Sequence, residues 1–219
     1  GVGAQTVIIA PKNKDSQFVS IDISAESLAI AAQNLQQLEI DNVSLQHKNV
    51  NDLNPKEDGL FDHIFICFVL EHLSNPKEIL NKVKTVLKPR GTITLIEGDH
   101  GSTFFHPQNT DAQKLVQAQV NLQEKRGGNA NIGRQLYPLL QATGFRQIEV
   151  SPRQIYVDYS KGLLVDGFIK NTFTAMIQGM AEDLIQEELV SHSVYETGVK
   201  GLLRTAQKDG VFSYTFFKG

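Results

Sequence analysis

Cysteine is almost missing from the 219 residues; Cys67 stands alone. A single thiol excludes an intrachain disulfide and any zinc site built on several cysteines. It also favours a reducing compartment, so a cytoplasmic location is expected. Positive charge is not in excess either. The formal net charge is -3, which offers no basic field for nucleic acid. No apolar run reaches the ~18 residues expected of a membrane span, and no basic-then-apolar leader opens the chain. What is present is 41% hydrophobic and 21% charged residues, a mixture suited to one globular domain with a full core. No repeat, low-complexity tract or long linker interrupts it. Residues 1–219 therefore read as a single domain, with 1–100 and 101–219 as halves of different texture.

The stretch with the most chemistry is the first 22 residues. Gly1-Val2-Gly3-Ala4-Gln5-Thr6 runs into an apolar helix start, Val7-Ile8-Ile9-Ala10, and an alternating strand, Phe18-Val19-Ser20-Ile21, ends on Asp22. Glycines at the mouth of a helix let the backbone come close to a ligand, and the helix N-terminus offers free N–H groups. A carboxylate at the tip of the next strand, roughly twenty residues on, is placed to accept both hydroxyls of a ribose. The spacing fits a nucleoside held across two adjacent strand ends of a parallel sheet. A plainer reading makes Asp22 or Ser24 the N-cap of the helix that opens at Ala25.

Ala25 to Leu38 carries Leu28, Ala31, Ala32, Leu35 and Leu38 at helical spacing, which predicts an amphipathic helix. Val43 to His47 alternates like a strand, and a polar loop follows at Asn49 to Asp52. Phe61 to Phe68 is nearly all apolar after its start, as expected of a strand covered on both faces. A helical turn at Val69 to Leu73, a helix from Pro76 to Leu87 stopped by Lys88-Pro89-Arg90-Gly91, and a strand at Thr92 to Ile96 come next. Alternation of this kind predicts a doubly wound, mostly parallel sheet whose ligands bind outside the carboxyl ends of the strands. Asp22, Asn49, Cys67 and Glu97 to His100 sit at those ends. Beyond them the sequence predicts helices at Asp111–Lys125, Ile132–Thr143, about 163–180 and about 193–206. Gly127-Gly128-Asn129 is a break, one or two strands surround Pro152, and Val211 to Phe217 is a closing aromatic strand. The helical insertions are expected to form a lid.

With these residues in place, the chain resembles the class I S-adenosylmethionine-dependent methyltransferases, small-molecule type. The resemblance rests on Gly1-Val2-Gly3, Asp22 after a strand, and Phe61-Asp62-His63-Ile64 leading into Val69-Leu70-Glu71-His72-Leu73. It continues in Leu87-Lys88-Pro89-Arg90-Gly91, Leu139-Leu140-Gln141-Ala142-Thr143-Gly144-Phe145 and the closing strand. It implies a Rossmann-like α/β fold with an antiparallel last strand, and S-adenosyl-L-methionine as cofactor, with S-adenosyl-L-homocysteine as product. The family's first strand would precede Gly1, so the resemblance also implies an N-terminally truncated chain. Arg90 stands where the family usually has glycine. By the same resemblance Gly1 and Gly3 carry the methionine part of the cofactor and Asp22 takes the ribose hydroxyls. Ile23 packs on adenine, Asn49 and Val50 read its edge, Cys67 and Phe68 line the methionine moiety, and His72 reads equally as a pocket residue or a helix cap.

Methyl transfer from a sulfonium removes positive charge from sulfur, so alignment and exclusion of water matter most. No metal is demanded, and a base is needed only if the acceptor must lose a proton. His100 leads the candidates for that role, with Asp99 and Glu97 beside it. Arg134 and Tyr137 are candidate contacts for a small-molecule acceptor, as is His106. Read as metal ligands, Glu97, Asp99, His100 and His106 match no justified spacing. His47 and His63 read as structural, Cys67 as a small buried hydrophobe, and most phenylalanines as core. Two other functions share parts of this pattern. A nicotinamide-dependent oxidoreductase, using NAD(P), shares the glycine loop and ribose acid, but Thr6 stands where its fingerprint has a third glycine or alanine. A methyltransferase-fold binding protein without activity is the other.

Overall fold

A computed structural model describes residues 1–219, which form two compact units. One consists of Gly1–Asp62 and Glu78–Gly91, the other of His63–Lys77 and Thr92–Gly219.

In the first unit a one-turn helix α1 (Thr6–Ile9) passes into a 3-10 turn, Ala10–Lys12. The helix stays short because Pro11 lacks the N–H that a longer ladder would use. Strand β1 (Phe18–Asp22), helix α2 (Ala25–Gln37) and strand β2 (Val43–His47) follow. The strands pair in parallel from Phe18 with Val43 to Asp22 with His47, and α2 is the crossover that parallel pairing requires. Ser24 caps α2, its side chain accepting from the Ser27 N–H at 3.1 Å. Ala31 and Leu35 are the buried members of the predicted stripe, whereas Leu38 sits at the helix end and is exposed. Asn42 ties the unit together. Its buried side-chain amide donates to the carbonyls of Ala10, Asn13 and Ser16 at 3.3, 3.2 and 2.9 Å. A short helix α3 (Pro55–Asp58) is capped by Asn54, and Lys48 pairs with Asp58.

Strand β3 (Phe61–Cys67), helix α4 (Pro76–Thr85) and strand β4 (Leu87–His106) run from one unit into the other. The second unit then adds α5 (Thr110–Lys125), a 3-10 turn at Ile132–Gln135, α6 (Leu136–Ala142) and β5 (Ser151–Asp158). After them come α7 (Gly162–Leu164), a π-helical segment Val165–Thr174, α8 (Ala175–Gly179), α9 (Ala181–Gln186), α10 (His192–Arg204) and β6 (Val211–Lys218). The strand order here is β3-β4-β6-β5, with β6 antiparallel to both neighbours. This is the expected Rossmann-like α/β architecture with an antiparallel last strand. No helix is long and apolar enough to cross a membrane.

Several elements depart from their predicted bounds. Strand β4 continues past Ile96 because β6 pairs with it on both sides of an irregularity, Asp99 opposite Thr215 and Phe104 opposite Ser213. Pro152 lies inside a single strand, tolerated because β5 is at the sheet edge. The predicted helix over 132–143 begins as a 3-10 turn, and the one over 163–180 is π-helical for ten residues. The core of the second unit gathers around Phe173, whose ring contacts those of Phe212 and Tyr214. Helices α5 and α10 complete it with Leu115, Leu122 and Leu202, all buried.

Two side chains of the first unit test this account. Arg90 adopts φ +68°, a left-handed conformation that costs a non-glycine residue about 1–2 kcal/mol. Against glycine's extra chain entropy, Arg90→Gly is expected to raise stability by a net ~0.5–1 kcal/mol, read from chemical-denaturation midpoints. Asn42→Ala orphans three carbonyl contacts and is expected to cost about 1–3 kcal/mol in the same measurement.

Candidate active site

In the first unit the candidate residues gather at the tip of β1. The carboxylate of Asp22 accepts from the Ser24 N–H through Oδ1 at 2.7 Å and pairs with the Gly1 amino group through Oδ2. The helix cap is Ser24, so Asp22 is not spent on α2 and stays partly exposed. Gly3 has φ +78°, and a Cβ there would lie 3.1 Å from the Cβ of Ala31. Both facts require glycine: the conformation disfavours L side chains, and the loop passes against α2. Ile23 presents an apolar side chain that is 69% exposed, and the His47 ring contacts its carbonyl at 2.9 Å. Asn49 opens the 3-10 turn Val50–Asp52, its Oδ1 accepting from the Asn51 N–H and Nδ2 at 2.9 and 3.1 Å. That carbonyl is therefore already engaged, and the amide nitrogen is the group it leaves to offer.

In the second unit the end of β3 turns sharply. Cys67 is half-buried, and burial, with the fields of Glu97 and Glu71, pushes its thiol up to about 11. Such a thiol is no nucleophile near neutral pH. Phe68 adopts φ +52°, strained for an aromatic residue, with its ring edge-on to Phe216 at 6.3 Å and its N–H donating to the Ile96 carbonyl at 2.8 Å. The following turn, Leu70–His72, is held by one side chain. Glu97 Oε1 accepts from the N–H groups of Val69 and Leu70 at 3.1 and 2.9 Å, and Oε2 accepts from that of Glu71 at 3.3 Å. Desolvation outweighs these three bonds and raises the Glu97 carboxyl to about 7. His72 is mostly exposed, 3.4 Å from Glu71 Oε1.

Strand β4 then delivers the remaining candidates. Asp99, almost fully buried, is clamped by Arg134, whose Nε lies 3.0 Å from both carboxylate oxygens and whose Nη2 also donates to Oδ1. Arg134 was expected to face an acceptor; here its guanidinium neutralises Asp99. His100 is buried. Its Nε2 lies 3.3 Å from Glu71 Oε2, the Tyr214 ring stands edge-on at 5.4 Å, and the Phe173 ring lies over it at 6.2 Å. Tyr137, in the first turn of α6, is half-exposed. His106 lies seven residues along β4 from Asp99, opposite Val211, and the strand does not bring it to the others.

Glu71, Gly98 and Tyr214 are the members that the sequence reading missed. A Cβ on Gly98 would meet the Tyr214 hydroxyl at 2.2 Å, and Glu71 Oε2 and His100 Nε2 at 3.2 Å each. Burial and the nearby Glu71 carboxylate raise the Tyr214 hydroxyl far above its ordinary value. The Gly127-Gly128 break serves the same place, since a Cβ on Gly128 would lie 2.5 Å from the Glu71 carbonyl. That carbonyl accepts from the Asn129 N–H and Gln123 Nε2 at 2.7 and 2.8 Å. The available signal for Tyr214 was its alternation with Phe212 in the closing strand, which reads equally well as core.

Known proteins are similar to this chain in sequence and in fold. Over 84 residues the chain is 32% identical to a demethylmenaquinone methyltransferase of Bacillus mycoides, covering 38% of this chain and 35% of that protein. A Bacillus cereus demethylmenaquinone methyltransferase is 29% identical over 98 residues, 44% of this chain and 41% of its own. The matches thus span well under half the length of these relatives. Among solved structures, a putative methyltransferase from Bacillus halodurans superposes with TM-score 0.58 at 15% identity, over all of this chain and 87% of its own. Haemonchus contortus phosphoethanolamine N-methyltransferase 2, in complex with phosphomonomethylethanolamine and S-adenosylhomocysteine, gives TM-score 0.54 at 19% identity, over all of this chain and 46% of its own. Since a family model described as a methyltransferase domain matches residues 1–144, about two thirds of the sequence, the chain belongs to the methyltransferase-domain family.

Proposed function

We propose that the protein transfers a methyl group from S-adenosyl-L-methionine to a small-molecule acceptor. The observation that carries this reading is Asp22. Its carboxylate closes β1 without serving as the helix cap and stays partly exposed, where ribose hydroxyls could donate to it. Gly3 supports the fit, because the loop takes a path that a Cβ would block. When bound, the cofactor supplies an electrophilic methyl group on a sulfonium, displaced in line.

The roles of the chain's residues follow from their geometry. Asp22 would accept the ribose hydroxyls, and Gly1 and Gly3 would let the backbone approach the methionine tail. Exposed Ile23 would cover adenine. Asn49 would donate its amide to a ring nitrogen, since its carbonyl is taken by Asn51. Val50, beside it, supplies the other contact to the adenine edge. In the second unit, Cys67 and Phe68 are residues at the end of β3, with His72 beyond them on the turn. We assign Glu97 a positioning role in place of proton transfer, because both its oxygens are engaged by backbone N–H groups. Asp99 is neutralised by Arg134 and serves to hold it. His100 alone of the three keeps an unspent ring nitrogen. Tyr137 is the half-exposed candidate for contact with the acceptor, and the helical insertions serve as the lid. The relatives named for demethylmenaquinone make a quinol-like acceptor the first to try, and the lone cysteine fits a cytoplasmic setting.

Calorimetry with S-adenosylhomocysteine tests the reading. The unaltered protein should bind it, and NAD should give no heat. Asp22→Ala should weaken binding by about 1.5–3 kcal/mol, roughly ten- to a hundredfold. Equal affinity in the two proteins would remove Asp22 from the site. Glu97 gives a second prediction. Between the ordinary carboxylate value of 4.5 and the raised value of about 7, the folded protein keeps a proton that the unfolded chain has lost. Stability should therefore fall as pH rises through that window, by up to about 3 kcal/mol. Urea midpoints measured across it should show this slope, and Glu97→Gln should flatten it.

A further inference from the structure

The second unit holds a cavity of about 340 Å³ beside α5, within the size range of small-ligand sites. Val120 and Glu124 of α5 line it on one side. Asn129 and Asn131, after the Gly127-Gly128 break, and Arg134, from the 3-10 turn that follows, line it on the other. The hydrogen bonds of these three polar residues leave only one kind of group unspent. Asn129 Oδ1 accepts from the Asn131 N–H at 3.0 Å, and Asn131 Oδ1 accepts from the Gly101 N–H at 2.8 Å. Each amide oxygen is taken by backbone, so each side chain keeps its NH2 as a donor. Arg134 meets Asp99 side-on through Nε and Nη2, and Nη1 is left over. The free groups of all three are donors, and one is cationic. Strand β4 is bare where they reach it. A Cβ on Gly101 would lie 2.8 Å from Asn131 Oδ1 and 3.3 Å from Arg134 Nη2, closer than a side chain tolerates.

We propose that this cavity binds a small organic carboxylate, its acid group held by Arg134, Asn129 and Asn131 and its apolar body set against Val120. A guanidinium gripped side-on by one carboxylate still presents the end of its fork to a second, and that fork matches a planar oxyanion. Asp99 is the positioning residue. Its burial makes the pairing with Arg134 costly to break, so the fork meets the ligand already oriented. Charge selects a carboxylate over a phosphate. Asp99 stands behind the guanidinium, and the exposed Glu124 lines the opposite side. Every further negative charge on the ligand is opposed by both. One negative charge spread over two oxygens engages the donors with the least repulsion. Val120 is buried and gives the body of the acid an apolar surface. The site lies wholly within the second unit, and none of its contacts draws on the methyl-transfer reading.

The probe is 4-fluorobenzoate, followed by fluorine-19 line broadening as the full chain is titrated in. The unaltered protein should broaden the line saturably, and inorganic phosphate at equal concentration should not displace the probe. Asn131→Asp keeps an oxygen for the Gly101 N–H and exchanges the NH2 for an anionic oxygen. It should weaken binding about tenfold or more. Glu124→Gln, at an exposed helix position where the fold is not at stake, removes one opposing charge and should tighten binding about two- to threefold. Arg134→Lys keeps the charge without the fork and should weaken binding about tenfold. Should that variant unfold because Asp99 is left poorly paired, Asn131→Asp and Glu124→Gln decide the matter. No saturable broadening, unchanged affinity in Asn131→Asp, no gain in Glu124→Gln, or displacement by phosphate overturns the proposal. S-adenosylhomocysteine should leave the probe bound. Displacement by it would assign the cavity to the cofactor and overturn the separate carboxylate site, while leaving the reading built on Asp22 intact.

Discussion

Three backbone N–H groups in the turn after β3 point at one buried carboxylate, and the second unit is arranged about that contact. Glu97 is fully buried on β4, so its charge is costly unless it is answered, and Val69, Leu70 and Glu71 answer it. The same contact satisfies donors that a tight turn would otherwise leave without partners. It also sets where Glu71 stands, and through Glu71 the environment of His100. Burial wins over hydrogen bonding at this carboxylate, which is why its affinity for a proton is raised despite three donors.

Strained or crowded backbone recurs where function is proposed. Gly3 and Phe68 have positive φ, one in the loop before α1 and the other at the end of β3. Gly98 and Gly128 have no room for a Cβ, because polar groups from other elements come to them. At the three glycines other parts of the chain approach more closely than a side chain would allow. Arg90 is also at positive φ, but it lies near the start of β4 and is exposed.

The pairing of acids with bases separates candidates that composition treats alike. Asp22 ends β1, whereas Glu97 and Asp99 lie within β4. Asp22 accepts from the Ser24 N–H and stays partly exposed, Glu97 is consumed by backbone, and Asp99 is consumed by Arg134. The distinction comes from burial and from neighbours remote in sequence, thirty-five positions away in the case of Arg134.

The sequence by itself determined the local elements whose causes are local. The Leu28–Leu35 spacing makes α2 with a cap at Asp22 or Ser24, the alternation of Phe18–Asp22 makes β1, and Gly3 and Asp22 bound the loop and strand end of the proposed site. These follow from side-chain period, capping and backbone permissiveness over a few residues. Only the tertiary structure decided that β4 runs on to His106 beside β6, that Asp99 belongs to Arg134, and that Glu71, His100 and Tyr214 share one point over Gly98. Those contacts join residues more than twenty positions apart. Their energy is set by desolvation and by which partner arrives, and neither is written in the pattern of any one segment.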